Sequence, residues 1–470
     1  MGLPTWEEVY KNTQMGDTRR NIRFIETAKQ IDHITEKKGA SATLRGHAEL
    51  KAVSRVMSSP DVTPKNVVEG FIRHTCGDVT ASHILVIEDT SELNFAWRKK
   101  PIKGLGPTGN GEDQGFFIHP AIVVEPDKKM LLGLAGLEVM IRKFGEKTTE
   151  NEAHKRKDIK EKESYRWITV PREGCGHIPI EVKKTIVADR EADIYDLFLM
   201  HHDGELGENC ELLIRASRNR KINDGKGYLF DEIPGWDPCC CTKIELEATK
   251  KRKARTAFAV VRFGKVRMEI PNTQIHKKGK KSIPDIYVVD IREENPPAGE
   301  EAVHWTLLTT WEVKTAEDAL EKLEWYRCRW YIEEVFRVLK SGYQAESVKF
   351  DNAHALINWC ALRLIMAVKV MYLRTHRDDE TPESAKEVFN SIELEVLEAC
   401  QSVLISPKST VYIPPVRTNA WATLFVALFG GYKATPSAKP FGHLCLWRGL
   451  ARLEGAVIGY RAALKNVGRS

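Results

Sequence analysis

Two stretches of the chain, SHILVIEDTSELNF (82–95) and KTIVADREADIYDLF (184–198), each carry a short apolar run that stops at an aspartate, Asp89 in one and Asp189 in the other. Such runs, bounded by polar residues, read as strands buried on both faces. The second passes straight from its strand half, Thr185–Asp189, into a helical pattern. Apolar strands alternating with helices predict an α/β fold, in which the carboxyl ends of the strands form the crevice where ligands sit. Acids placed there are costly unless they are paired or bound to cations.

Around these strands the period of the sequence changes several times. A Gly-rich loop (104–115) leads into FFIHPAIVVEPDKKMLLGLAGLEVMIRK, a hairpin expected to turn at Pro126-Asp127. A charged helical region is expected over 148–167, and ELLIRASRNRK (211–221) reads as a further strand leaving toward the bases Arg215, Arg218, Arg220 and Lys221. From about 224 to 311 the pattern stays β-like, a β-rich insertion ahead of the next helix. After 374, THRDDETPESA is a polar linker. Three domains are predicted: an N-terminal helical domain (1–70), an α/β domain (71–373) that holds the strands above and the β-rich insertion, and a C-terminal helical domain (374–470).

The N-terminal segment GDTRRNIRFIETAKQIDHI (16–34) predicts a helix capped by Asp17 or Thr18, with Ile22, Ile25, Ala28 and Ile31 or Ile34 as its apolar positions. Arg19, Arg20 and Arg23 crowd its first turn, where the helix dipole disfavours cations. A DNA phosphate docked on the free N–H groups would account for them, and so would a solvated face. Near the other end, LARLEGAVIGYRAAL (450–464) offers a face of Leu450, Leu453, Val457, Tyr460 and Leu464 that suits a core or a dimer seam.

Charge narrows the choice of partner. The net charge is only +6, yet residues 241–290 hold 13 Lys/Arg against 5 Asp/Glu, mostly through KKRKAR (250–255) and HKKGKK (276–281). Solvated hairpin loops would look like this, but a basic surface beside an acidic site suits a polyanion. The N-terminus, MGLPTWEEVY, lacks the apolar segment of a secretory signal. The most apolar stretches, 355–373 and 421–429, suit core helices rather than membrane spans, because the first contains Arg363 and Lys369 and the second is short. Ten cysteines without CxxC spacing read as buried thiols of a cytosolic protein, not as a zinc site.

WYRCRWYIEEVFRVLK (325–340), read as one helix, sets Tyr326, Arg329, Glu333 and Lys340 on a single stripe. Leu323, Trp330, Val335 and Leu339 point elsewhere as core anchors. Ordinary i,i+4 ion pairs on a surface helix would give a similar pattern. Set beside Asp89 and Asp189, however, Glu333 completes a trio of oxygen donors with no His or Cys, which suits Mg²⁺ or Mn²⁺. Two such ions about 3.5–4 Å apart stabilise both the attacking and the leaving oxygen of a phosphoryl transfer.

The combination of IEDTS (87–91), DREAD (189–193) and Tyr-x2-Arg-x3-Glu-x6-Lys (326–340) resembles the bacterial cut-and-paste DDE transposases of the insertion-sequence-four family, its transposon-five branch in particular. The likeness runs over nearly the whole chain through GDTRR (16–20), EKES (161–164), EENPP (293–297), HWTLLT (304–309) and the segment 421–431. It implies a ribonuclease-H-like catalytic core with a β-rich insertion, in which Asp89, Asp189 and Glu333 are the catalytic triad that binds two Mg²⁺ ions, with Mn²⁺ able to substitute. Tyr326, Arg329 and Lys340 match the signature groups that hold DNA phosphates. Trp305 matches a tryptophan that packs against a flipped base, and Arg215 an arginine on the active-site side.

The resemblance further implies an enzyme that nicks double-stranded DNA at transposon ends, passes through a hairpin and joins the 3′-OH ends to target DNA. It implies a homodimer in the synaptic complex and a place in the bacterial cytosol at the nucleoid, with no membrane. The region before GDTRR is shorter than in the transposon-five branch, and the bases after Arg215 are arranged differently. The rival readings are a Mg²⁺-dependent nuclease of the same fold that cuts without joining, and a DNA-binding inhibitor of transposition. An inhibitor would be expected to have a broken triad, and here all three carboxylates are present.

Overall fold

The computed structural model describes residues 6–11, 13, 15–32, 47–145, 157–246, 253–405, 410–435 and 438–467. The strands are β1 (His83–Glu88), β2 (Ser91–Asn94), β3 (Gly106–Pro107), β4 (Gln114–Glu125), β5 (Met130–Met140), β6 (Lys183–Ala188), β7 (Cys210–Arg215), β8 (Lys221–Ile222), β9 (Gly227–Tyr228), β10 (Cys240–Leu246), β11 (Arg255–Met268), β12 (Ile283–Arg292) and β13 (His304–Thr309). With the helices they build a mixed α/β protein of two compact units. One is Met1–Val79, Thr90–Glu146 and Tyr331–Ser470, and the other is Thr80–Asp89 and Lys147–Trp330.

The second unit is organised by its sheet. β1, β6 and β7 run parallel, in the register Ile87↔Val187 and Val187↔Leu213. Their apolar side chains are buried on both faces, as parallel strands require. β13 pairs antiparallel with β7, and β12, β11 and β10 come next, all antiparallel. The β-rich segment is therefore hydrogen-bonded onto the parallel strands through β13 rather than set apart from them. Of the charged region expected to be helical, 148–156 lies outside the described residues. Ile159–Glu161 and Glu163–Tyr165 are single 3₁₀ turns, and the helix begins only at Arg166.

In the first unit, β4 and β5 form the expected hairpin, with Glu125 opposite Met130 and the Lys129 N–H closing the turn on the Pro126 carbonyl at 3.3 Å. The helix Pro64–Gly77 starts with a reciprocal Thr63/Asn66 cap and packs on β5. Its Thr75 hydroxyl reaches the Leu134 carbonyl at 2.9 Å, and a Cβ at Gly133 would lie 2.3 Å from Thr75. The long apolar helix Ala353–Thr375 is the core of this unit and is almost wholly buried. Asn358 ties it to the N-terminal helices through the Met57 and Val62 carbonyls at 2.9 and 2.7 Å.

The helix Thr18–Asp32 is capped by Asp17, whose carboxylate accepts the Arg20 N–H at 2.8 Å. Its inward face differs from the expected one. Phe24, Thr27 and Ala28 are buried, while Ile22 is 54% exposed, because Phe24 packs edge-on against Tyr10 and takes the inward position. The side chain of Ile31, and Ile34 altogether, lie outside the described residues. In the last helix, His443–Val467, Leu453 and Val457 are core and Leu464 is exposed. Gly449 lets this helix touch its neighbour Asn419–Phe429, since a Cβ there would meet the Val426 carbonyl oxygen at 1.7 Å.

Candidate active site

β1 and β6 are neighbours in parallel, and their register carried two residues onward sets Asp89 beside Asp189 at the carboxyl ends of both strands. Asp189 opens a 3₁₀ turn, its Oδ1 accepting the Glu191 N–H at 2.8 Å. Asp89 accepts a hydrogen bond from the Arg329 guanidinium at 3.0 Å, with both side chains 17% exposed. The negative charge here is dense enough to act on a third acid. Glu88, fully buried, has its carboxyl pushed well above the usual range, by burial first and then by Asp89 and Asp189, against the opposing charge of Arg166. Arg166 is itself buried and pairs with Glu191 at 2.9 Å.

Tyr326 lies in the last turn of the helix Ala316–Arg327 and is buried, its ring edge-on to Trp305 with centroids 5.9 Å apart. Burial raises the pKa of its phenol, and the nearby positive charges of Arg329 and Arg215 pull the other way. Arg215 ends β7 opposite Leu307 and donates to the His304 carbonyl at 2.9 Å. Burial weakens its hold on its proton, though an arginine stays charged at any ordinary pH. Trp305 sits on β13, whose start is fixed by the fully buried Asp290, bound to the Thr306 hydroxyl at 2.6 Å and to the His304 imidazole at 2.9 Å.

In the second unit, Asp89, Asp189, Arg215, Trp305, Tyr326 and Arg329 therefore form one constellation of two carboxylates, two guanidiniums and two aromatic rings. Glu333 and Lys340 belong to the first unit. Glu333 is half-buried on the helix Trp330–Arg337. Its neighbour Glu334 is buried and held by Arg337, Arg374 and His443. Lys340 is on the π-helical turn Val338–Gly342, closed by the Tyr343 N–H on the Val338 carbonyl at 2.8 Å.

The stripe expected on one helix is thus divided. The first helix ends at Arg327, the Cys328 and Arg329 N–H groups bond three residues back, and the last turn widens to π. Trp330, expected as a core anchor, is 45% exposed, while Leu323, Val335 and Leu339 are buried. Both departures have one cause: the break at 328–329 rotates residues 330–340 away from a single 3.6-residue register.

Of the N-terminal arginines, Arg20 is engaged by Asp17, Asp61 and the Met15 carbonyl, and Arg23 pairs with Glu26 at 3.2 Å. Arg19 is exposed. Two basic stretches are also partly engaged within the chain. Lys280 pairs with the buried Asp196 and Lys281 with Asp203, and Arg255 is bound by Glu293 and Glu300. Residues 250–252 lie outside the described residues.

Sequence reasoning missed Glu88 and Arg166. The signal for the first is a second acid directly before Asp89 in an otherwise apolar strand; the carboxylate partner of the second, Glu191, lies 25 residues away and left no mark. Among the described residues no group of three His, Cys, Asp or Glu side chains is close enough to hold a metal ion. Asp89 and Asp189 do fit a hard divalent cation as a pair: both are oxygen donors, and together they load one end of the sheet with negative charge.

Residues 177–368 match the family model of the transposase DDE domain. The matched stretch takes in Asp189, Arg215, Trp305, Tyr326, Arg329, Glu333 and Lys340, and Asp89 lies before it. The mixed sheet with its helices is consistent with the ribonuclease-H-like fold of such domains, which act on DNA and generally use divalent metal ions. Residues 177–368 carry a transposase DDE domain, which indicates a DDE transposase, an enzyme that cuts and joins DNA.

Proposed function

We propose that this enzyme is a cut-and-paste transposase of the insertion-sequence-four family, related to the transposon-five transposase. It binds transposon end sequences, cleaves them through a hairpin intermediate and joins the 3′-OH ends to target DNA. The observation that carries this reading is the pair Asp89 and Asp189 at the ends of adjacent parallel strands within a chain that matches the transposase DDE domain. Asp89, Asp189 and Glu333 would hold two Mg²⁺ ions, with Mn²⁺ able to substitute, and these supply charge stabilisation to the attacking and leaving oxygens.

Arg329, Tyr326, Lys340 and Arg215 hold the phosphates flanking the cut. Trp305 receives a base turned out of the stack, an interaction worth roughly 1–3 kcal/mol. Arg19, Arg20 and Arg23 meet the backbone of the transposon end; for Arg20 this means exchanging Asp61 for a phosphate. The dimer that synapses two ends forms through the C-terminal helices, where Leu464 and Ile458 are exposed, and the protein works at the nucleoid in the bacterial cytosol.

Purified protein with Mg²⁺ and a plasmid carrying the element's terminal repeats provides the test, with products resolved on denaturing gels. Wild type should give nicks, hairpins and joined ends. Asp89→Asn, Asp189→Asn and Glu333→Gln should each bind the DNA and give none of these. Cleavage without hairpins or joining would replace the proposal with a nuclease of the same fold, and cleavage by the variants would refute the triad.

A further inference from the structure

The loop Ala96–Lys103 (AWRKKPIK) of the first unit is built as a platform, and none of the site residues above lies on it. Trp97 is 48% exposed, yet its indole N–H is fixed on the Glu346 carbonyl at 2.7 Å. Arg98 donates to the Phe350 carbonyl at 3.2 Å and to Asp351 at 3.3 Å, and its guanidinium lies 5.5 Å from the Trp97 ring centroid. One side chain organises the rest. Gln114 donates to the Arg98 and Lys100 carbonyls at 3.0 and 3.1 Å and accepts the Ile102 N–H at 2.7 Å. The Lys103 carbonyl then accepts the Ala353 N–H at 2.9 Å.

On this fixed backbone Lys99, Lys100 and Lys103 are exposed, and so is Lys349 in the segment that anchors Trp97 and Arg98. None of the four lysines makes an ion pair among the described residues, whereas Lys280, Lys281 and Arg255 elsewhere are matched to carboxylates. The Trp97 ring is held by its polar edge with about half of its surface open to solvent, and four cations unmatched among the described residues, on the same loop and on the segment that anchors it, supply what a polyanion needs. An aromatic face beside a track of positive charge is the physical requirement for binding a nucleic-acid strand with an accessible base.

We propose that Trp97, Lys99, Lys100, Lys103 and Lys349 form a second DNA-binding surface, with the lysines on successive phosphates and the Trp97 ring against an unpaired base. This inference rests on the reading of the enzyme as a DNA transposase and adds a site to it.

The test is fluorescence anisotropy with two labelled oligonucleotides, a fully paired duplex of the transposon end and the same duplex with a short single-stranded extension, across a NaCl series in EDTA. Lys99→Ala/Lys100→Ala/Lys103→Ala should lower the slope of log K against log [salt] by about 2 to 3, close to one for each phosphate that no longer meets a lysine. The corresponding Lys→Arg triple variant should keep the slope. Trp97→Ala should weaken the extended duplex about tenfold and the paired duplex far less, with Trp97→Phe retaining most of the difference. Unchanged slopes, or an effect of Trp97→Ala equal on both probes, would overturn the proposal while wild-type binding and cutting stood. Failure of the wild type to bind either probe would instead remove the transposase reading beneath it. The changed side chains are exposed, so unchanged melting temperatures separate weakened DNA binding from unfolding.

Discussion

Two adjacent glutamates on one short helix have opposite environments. Glu333 is half-buried, while Glu334 is 2% exposed and meets Arg337, Arg374 and His443, so it joins its own helix to the core helix Ala353–Thr375 and to the last helix. Burial alone would raise its pKa, but the hydrogen bond from His443 and the charges of Arg374 and Arg337 outweigh this and hold it at about 2. Glu334→Ala removes the buried carboxylate that Arg337, Arg374 and His443 share and should destabilise the fold by about 1–3 kcal/mol in chemical denaturation, and Glu334→Gln by less. The direction of the shift sets the pH dependence. A carboxylate with a depressed folded pKa stabilises fully above its unfolded value near 4.5 and loses that contribution as pH falls toward 2. The stability difference between wild type and Glu334→Gln should accordingly be constant above about pH 5 and shrink below it. A difference that stayed constant to pH 3 would show that the ion cluster does not set the pKa. Loss of activity in Glu334→Ala therefore says nothing about metal binding, and of these two glutamates only Glu333 tests the proposed triad.

At the scale of elements, DREAD shows what a motif reveals and what it hides. Its first aspartate was legible from the apolar strand before it. Its last, Asp193, is fully engaged in architecture: it binds Arg220 through Nε at 2.9 Å and accepts the Ser217 and Arg218 N–H groups at 2.8 and 3.0 Å. Two acids four residues apart thus divide between the site and the loop after β7, and no local pattern separates them because the partner of Asp193 lies 27 residues away. Arg220, which looked like part of a basic tail, is buried in that pair. The same limit hid the break at Cys328–Arg329: a regular 3.6-residue count cannot register a helix that stops, restarts at Trp330 and ends in a π turn. Strand runs and the β4–β5 turn were legible because they depend on neighbours in sequence, and the ion clusters were not because they join distant elements. Asp193→Ala should cost about 3 kcal/mol or more and speed amide exchange across residues 216–222. Protection there equal to wild type would show that β8 and β9 hold the loop without it.

Across the whole molecule, the groups proposed to meet DNA and the groups proposed to hold metal carry opposite charge, which would separate binding from chemistry. The cations are the chain's own, within a net charge of +6, and need no metal to attract phosphate. The carboxylates do the reverse. Burial chiefly, and then the charges of Asp89 and Asp189 at one end of the parallel strands, raise the pKa of Glu88, and Arg329 is drawn onto Asp89. Without a divalent ion this end of the sheet repels a scissile phosphate, and one of the guanidiniums proposed to hold that phosphate is occupied. EDTA should therefore stop cutting while leaving DNA bound. Asp89→Asn, although inactive, should bind DNA in EDTA more tightly than wild type, because it removes a repelling charge and releases Arg329. Relief of about 1 kcal/mol, one such charge in a partly solvated site, corresponds to roughly fivefold in affinity. Adding Mg²⁺ should reverse the order, tightening wild type and leaving the variant nearly unmoved. Equal affinities of the two proteins in EDTA would mean that the bound phosphate lies away from Asp89, and the carboxylate pair would then have to be sought elsewhere in the reaction.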